Sequence, residues 1–190
     1  DEYLALKTKH LDGYNCCDPW GSMAQYENTG RILHKFGALP SGNWGYCCTL
    51  VMNKDFVRNH RGLAKKMLLA HIEAIQSIYT QPARAAEIFS KSYYVPEEVA
   101  LMTIYKKTVG ETRTLRWEIS PDIYEEEIKH HFSLGILKNA PRFEEVMTKD
   151  LLTEVGAADF DSFIKNKVEP VFPLGMTYEN WKKKAMEQQV

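Results

Sequence analysis

Features that would mark this chain for a special environment are scarce. Cysteine contributes only 4 of 190 residues, too few for a disulfide scaffold, and these four do not fix the compartment. No apolar run approaches the roughly 20 residues of a bilayer crossing, so no direct membrane insertion by this segment is expected. The opening Asp-Glu-Tyr-Leu-Ala-Leu lacks the basic start and apolar block of a signal peptide. An export signal or lipid anchor is therefore expected to have been removed or never present. Excess charge of one sign is also lacking: 24 basic residues stand against 25 acidic ones, a balance that argues against nucleic acid or an anionic membrane as partner. Internal repeats and low-complexity tracts are absent. With 44% apolar and 26% charged residues, the composition is that of a globular chain and excludes disorder and collagen-like fibres.

Catalytic signatures are missing too. The sequence contains no G-x-S-x-G, no G-x-G-x-x-G, no phosphate-cradling G-x-x-x-x-G-K-[ST] and no H-E-x-x-H. Nucleophilic catalysis and nucleotide binding gain no support, and no enzyme activity, cofactor or metal is expected.

What is present reads as an α/β chain with a helix-rich second half. The first nine residues read as a helical turn or two, and Leu11–Cys17 as a short strand. A start on a helix feeding a strand suggests a chain cut inside a larger fold. Asp18 and Pro19 offer an N-cap and a first-turn proline, with Ser22 and Gln25 a second capping-box start, for a helix to about Asn28 with Gly30 as its C′ residue. Residues 31–36 read as another short strand. Gly37–Gly45, with three glycines, a proline, a serine and an asparagine, is the strongest interruption and the candidate interlobe crossing. Residues 46–52 read as a strand buried on both faces.

Beyond Asp55, two adjacent apolar rows at helical spacing, Leu63/Met67/Ala70/Ala74/Ile78 and Ala64/Leu68/Ile72/Ile75/Tyr79, predict a long core helix. Pro82 opens a second helix with Ala85, Ala86, Ile88 and Phe89 inward, Pro96-Glu97-Glu98 a third reaching Val109, and Ser120-Pro121-Asp122 a fourth reaching Leu134. Residues 168–175 read as extended, and Thr177 as the cap of a last helix carrying Trp181.

Two cysteine pairs, Cys16-Cys17 and Cys47-Cys48, invite a metal or redox reading. Adjacent residues in a strand point to opposite faces, so each pair would offer one thiolate to a common site, short of the four ligands zinc usually takes. A metal site, a cross-strand disulfide and buried unreactive thiols all stay open, with burial the simplest account. The six histidines show no ligand spacing, and Lys182-Lys183-Lys184 reads as a solvated face near a helix C-terminus.

The segment Asp12–Trp20 remains. It runs from the carboxyl end of a strand into a helix N-terminus, the place where ligands bind in open α/β sheets. First-turn N–H groups there can receive an anionic or polar oxygen, with Trp20 and Tyr14 as a flat apolar wall. The alternative is that Asp18 only caps the helix, Tyr14 is core and Trp20 staples the helix to its neighbour.

On these residues the chain resembles a type II periplasmic solute-binding protein of the nitrate, sulfonate and taurine group of ABC-transporter receptors. The resemblance rests on His10-Leu11-Asp12-Gly13-Tyr14 followed by Asp18-Pro19-Trp20, on Tyr46–Asn53 with Phe56-Val57, on Gln81-Pro82-Ala83-Arg84-Ala85-Ala86, and on Leu134–Phe143. It implies the C-terminal two-thirds of a two-lobed fold, with residues 1–44 completing lobe two and 45–190 returning to lobe one. It further implies a small-molecule solute held at a cleft edge by Asn15, Asp18, Trp20 and Tyr14, an ABC permease as partner, and a periplasmic or cell-surface location. A sensor module of similar fold and a thiamin-pyrimidine precursor synthase are the alternatives. The synthases carry a cysteine-rich motif with an internal phenylalanine, which neither cysteine pair here matches.

Overall fold

The computed structural model describes residues 2–34, 37 and 39–188. It is helix-rich, 58% helical, and the only β feature among the described residues is an isolated bridge at Trp44. The helices are α1 (Glu2–Lys7), α2 (Trp20–Tyr26), α3 (Lys54–Asn59), α4 (Arg61–Thr80), α5 (Pro82–Tyr93), α6 (Glu97–Tyr105), α7 (Pro121–Ser133), α8 (Phe143–Val146), α9 (Asp150–Glu154), α10 (Phe160–Phe163) and α11 (Tyr178–Glu187), with π-helical turns at Lys106–Gly110 and Ile164–Val168.

The α/β expectation is met in its helical part and not in its strands. Residues 11–17 and 46–52 pair with no neighbouring strand. Of the strand expected at 31–36, residues 31–34 are irregular, and residues 35 and 36 lie outside those described. A strand is completed by a partner that takes up its N–H and C=O groups, and apolar, β-branched composition says nothing of whether one is present. Residues 46–52, expected to be buried on both faces, leave Leu50 exposed and Val51 82% exposed.

The chain forms two compact units. Asp1–His34, Gln76–Leu115 and Phe163–Val190 make the first, and Lys35–Ile75 and Arg116–Ser162 the second. Each takes residues from both sides of position 44, where the sequence reading divides the lobes.

In the first unit, α6 is the central element, packed against α2, α5 and α11. It is apolar nearly all round, with Val99, Ala100, Leu101 and Ile104 buried together with Thr103, as an enclosed helix must be. Pro82 starts α5 where its missing N–H costs nothing. Ala83 and Ala86 are the buried face of α5, whereas Ile88, expected inward, is exposed. Trp181 of α11 is buried against Tyr105, with ring centroids 5.5 Å apart, and near Phe172. Thr177 caps α11 as expected, its hydroxyl accepting from the Asn180 N–H. Residues 168–175 are not extended: the N–H groups of both Val171 and Phe172 return to the Val168 carbonyl, making a turn. Buried Arg113 explains why this turn holds, because its guanidinium donates to the Phe172 and Thr108 carbonyls and pairs with Glu169 at 2.7 Å.

At the end of α2, Asn28 takes the left-handed conformation in place of the expected Gly30. Gly30 serves close packing instead, since a Cβ there would lie 3.0 Å from Leu6 Cδ2.

In the second unit, Trp117 packs edge-on to Phe160 and donates its indole N–H to the Ala158 carbonyl at 2.9 Å. Tyr124 of α7 does the same with Phe143 of α8 and the Pro141 carbonyl. Two carboxylates of α7 anchor the glycine-rich stretch: Glu126 accepts from the Ser41 N–H and hydroxyl, and Glu127 from the Tyr46 N–H. Gly37 is required there, because a Cβ would overlap the Trp44 ring.

Of the two rows on α4, only Ala64, Leu68, Ile72, Ile75 and Tyr79 are buried. Leu63 is 53% and Met67 47% exposed. The long core helix is present, but one row faces solvent.

Candidate functional site: the turn before helix α2

The turn at residues 14–20 belongs to the first unit. Its three-dimensional order is set by Asp18. The helix cap position is occupied by Pro19, which offers no side-chain acceptor, so the carboxylate one residue earlier serves. Asp18 Oδ1 accepts from the Ser22 N–H at 2.9 Å and from the Ser22 hydroxyl at 3.0 Å. Asp18 Oδ2 lies 3.7 Å from Lys106 Nζ, with side-chain exposures of only 8% and 12%. The Asp18-Pro19 peptide is cis.

Lys106 begins the π-helical turn after α6 and ties several groups together. Its ammonium donates to Ser22 Oγ at 2.8 Å and to Gln25 Oε1 at 3.0 Å. Ser22, fully buried, also receives the Thr103 hydroxyl at 3.4 Å. The capping-box reading of Ser22 and Gln25 is thereby corrected. Both lie within α2, and both turn toward the Lys106 cation.

Tyr14 and Trp20 form the apolar side of the turn. The Tyr14 hydroxyl donates to the Trp20 carbonyl at 2.8 Å, and Trp20 stacks on Tyr3 at 6.1 Å with the rings 26° apart. Both pack on the cluster of Tyr3, Met23, Ala24, Val95 and Val99 while remaining half-exposed. Burial is the main cause that pushes the Tyr14 phenol up from its ordinary value. Asn15 is exposed.

The four predicted residues thus share one turn in three roles. Asp18 is a buried organiser, Asn15 is presented to solvent, and Tyr14 with Trp20 supplies a half-exposed aromatic surface. Sequence reasoning missed Lys106 and Thr103, which come from a distant helix end and carry no local motif; a lysine closing an almost wholly apolar helix is the one signal that pointed to a buried anionic partner. Surface depressions beside Gln81, Arg84 and Gln188, and beside Asn180 and Lys183, involve no residue of the turn.

All four cysteines are exposed, which overturns the reading of buried thiols. Among the described residues, no group of three or more His, Cys, Asp or Glu side chains is placed to hold a metal ion, and no helix is long and apolar enough to cross a membrane.

Comparison with known proteins bears on this turn directly. The model of the NMT1-like family matches residues 2–91. Over this stretch, just under half of the chain, the sequence is similar to the NMT1-like family, in agreement with the resemblance to nitrate, sulfonate and taurine type solute-binding proteins. Solute binding or a related function is the general assignment this supports. Neither a curated protein nor a solved structure matches the chain.

Proposed function

We propose that the chain is the solute-capturing part of an extracytoplasmic receptor serving an ABC importer, working in the periplasm or anchored at the cell surface. Its solute is small and polar or anionic, of the nitrate, sulfonate or taurine class, and Asn15, Tyr14, Asp18 and Trp20 form one edge of the site. The division into lobes at residue 44 belongs to the same proposal. The observation that carries it is the NMT1-like match across residues 2–91, which contains the whole turn.

The chemistry of the turn is consistent with capture rather than catalysis. Asp18 is already satisfied by Ser22 and Lys106, so it fixes the backbone of the turn and leaves the exposed Asn15 amide to make directional hydrogen bonds. Tyr14 and Trp20 supply flat apolar area at low entropic cost. A receptor of this kind spends binding energy on shifting a population between open and closed states, and no bond need be broken.

Native mass spectrometry of the protein purified from its producing cells tests the reading. A retained small molecule with a sulfonate, nitrate or amine group supports it. Iron-dependent release of a pyrimidine product would instead establish a synthase.

A further inference from the structure

The objection to a metal site at the cysteine pairs was geometric: in a strand, neighbouring side chains diverge. Residues 46–52 form no strand, and the Sγ atoms of Cys47 and Cys48 lie 3.6 Å apart, both in exposed residues. Two bonds of about 2.3 Å from one centre, opening at roughly 100–110°, place their sulfurs roughly 3.5–3.8 Å apart. The observed separation matches that edge. It suits a disulfide poorly, because adjacent Cα atoms stand only about 3.8 Å apart, below the roughly 4.4–6.8 Å of ordinary disulfides.

From this geometry we infer that Cys47-Cys48 is a bidentate thiolate site for a thiophilic centre that brings its remaining ligands with it, of the trivalent organoarsenical type. Soft thiolates select soft centres. The absence of any third His, Cys, Asp or Glu ligand among the described residues disfavours an all-protein zinc site and fits a centre needing only two protein donors. With phenylarsine oxide as probe, each thiol gives up its proton and forms one S–As bond. The As–O bond breaks, and the oxygen leaves as water with the two protons. Arsenic stays trivalent, and no electron is transferred.

The experiment is titration of the reduced 190-residue chain with phenylarsine oxide, read by native mass spectrometry and tryptic mapping. The site gives a one-to-one adduct on the peptide bearing Cys47 and Cys48, removed by excess dithiol and resistant to a monothiol. Cys47→Ser and Cys48→Ser each weaken uptake by on the order of 100-fold or more, the loss expected when two-point attachment becomes one-point. The Cys16→Ser/Cys17→Ser double variant keeps wild-type uptake at Cys47-Cys48. Unaltered affinity in either Cys47→Ser or Cys48→Ser, or ready removal of the adduct by monothiol, would overturn the inference. Thermal melting of each variant confirms that it is folded.

Discussion

Lys106 Nζ stands 3.7 Å from Asp18 Oδ2 with both side chains nearly buried, and this pair joins the turn before α2 to the end of α6. Removing one member leaves the other as an uncompensated charge in a poorly hydrated place, which costs more than the pair itself contributes. Lys106→Met is therefore expected to destabilise the protein by about 3 kcal/mol, measured by urea denaturation. The Asp18→Asn/Lys106→Met double variant is expected to recover much of that loss. Additive destabilisation in the double variant would show that the two residues do not act as a pair.

The unequal rows of α4 give a second expectation. Leu68→Ala and Ile72→Ala remove buried side chains and should each cost about 2–4 kcal/mol. Leu63→Gln and Met67→Gln, on the exposed row, should each stay within about 0.5 kcal/mol of the parent. Equal costs on the two rows, read from denaturation midpoints, would contradict the packing described.

Acid stability should depend on Glu98. Desolvation pushes its carboxyl up, but Lys182 at 2.6 Å and the Tyr178 hydroxyl at 2.8 Å outweigh it and hold the group below its ordinary value. A carboxyl depressed in the folded state contributes stability that is present above its unfolded value, about 4.3, and lost as pH falls through the folded value. Denaturation midpoints measured from about pH 6 down to about pH 3 should fall less steeply in Glu98→Gln than in the parent. Identical slopes would remove Glu98 from the account.

Helix starts were legible because their signals are local. Pro82, Ser120-Pro121 and Thr177 each open a helix where expected. The strands were not, because composition reports a tolerance for extended backbone and a ladder needs a second segment. The same distinction separates the two rows of α4: periodicity located the apolar surface, while burial depended on neighbours that the sequence does not name. In the turn, the clustering of Tyr14, Asn15, Asp18 and Trp20 was readable from their adjacency. The burial of Asp18 against Lys106 is a long-range pairing, and it adds a cationic partner to the capping role that the local pattern already offered. The cysteine pairs failed for a related reason: burial was expected from residue type alone, which names no neighbours, and the argument against a shared metal assumed strands that are absent.

Isothermal titration calorimetry with taurine and with nitrate, on the parent and on Asn15→Ala and Trp20→Phe, tests solute capture at this turn most directly. The account predicts saturable one-to-one binding of one of these two solutes by the parent, weakened by roughly 1–3 kcal/mol in Asn15→Ala through the loss of a directional hydrogen bond, with the melting temperature unchanged. Binding of equal strength in the parent and both variants would contradict it.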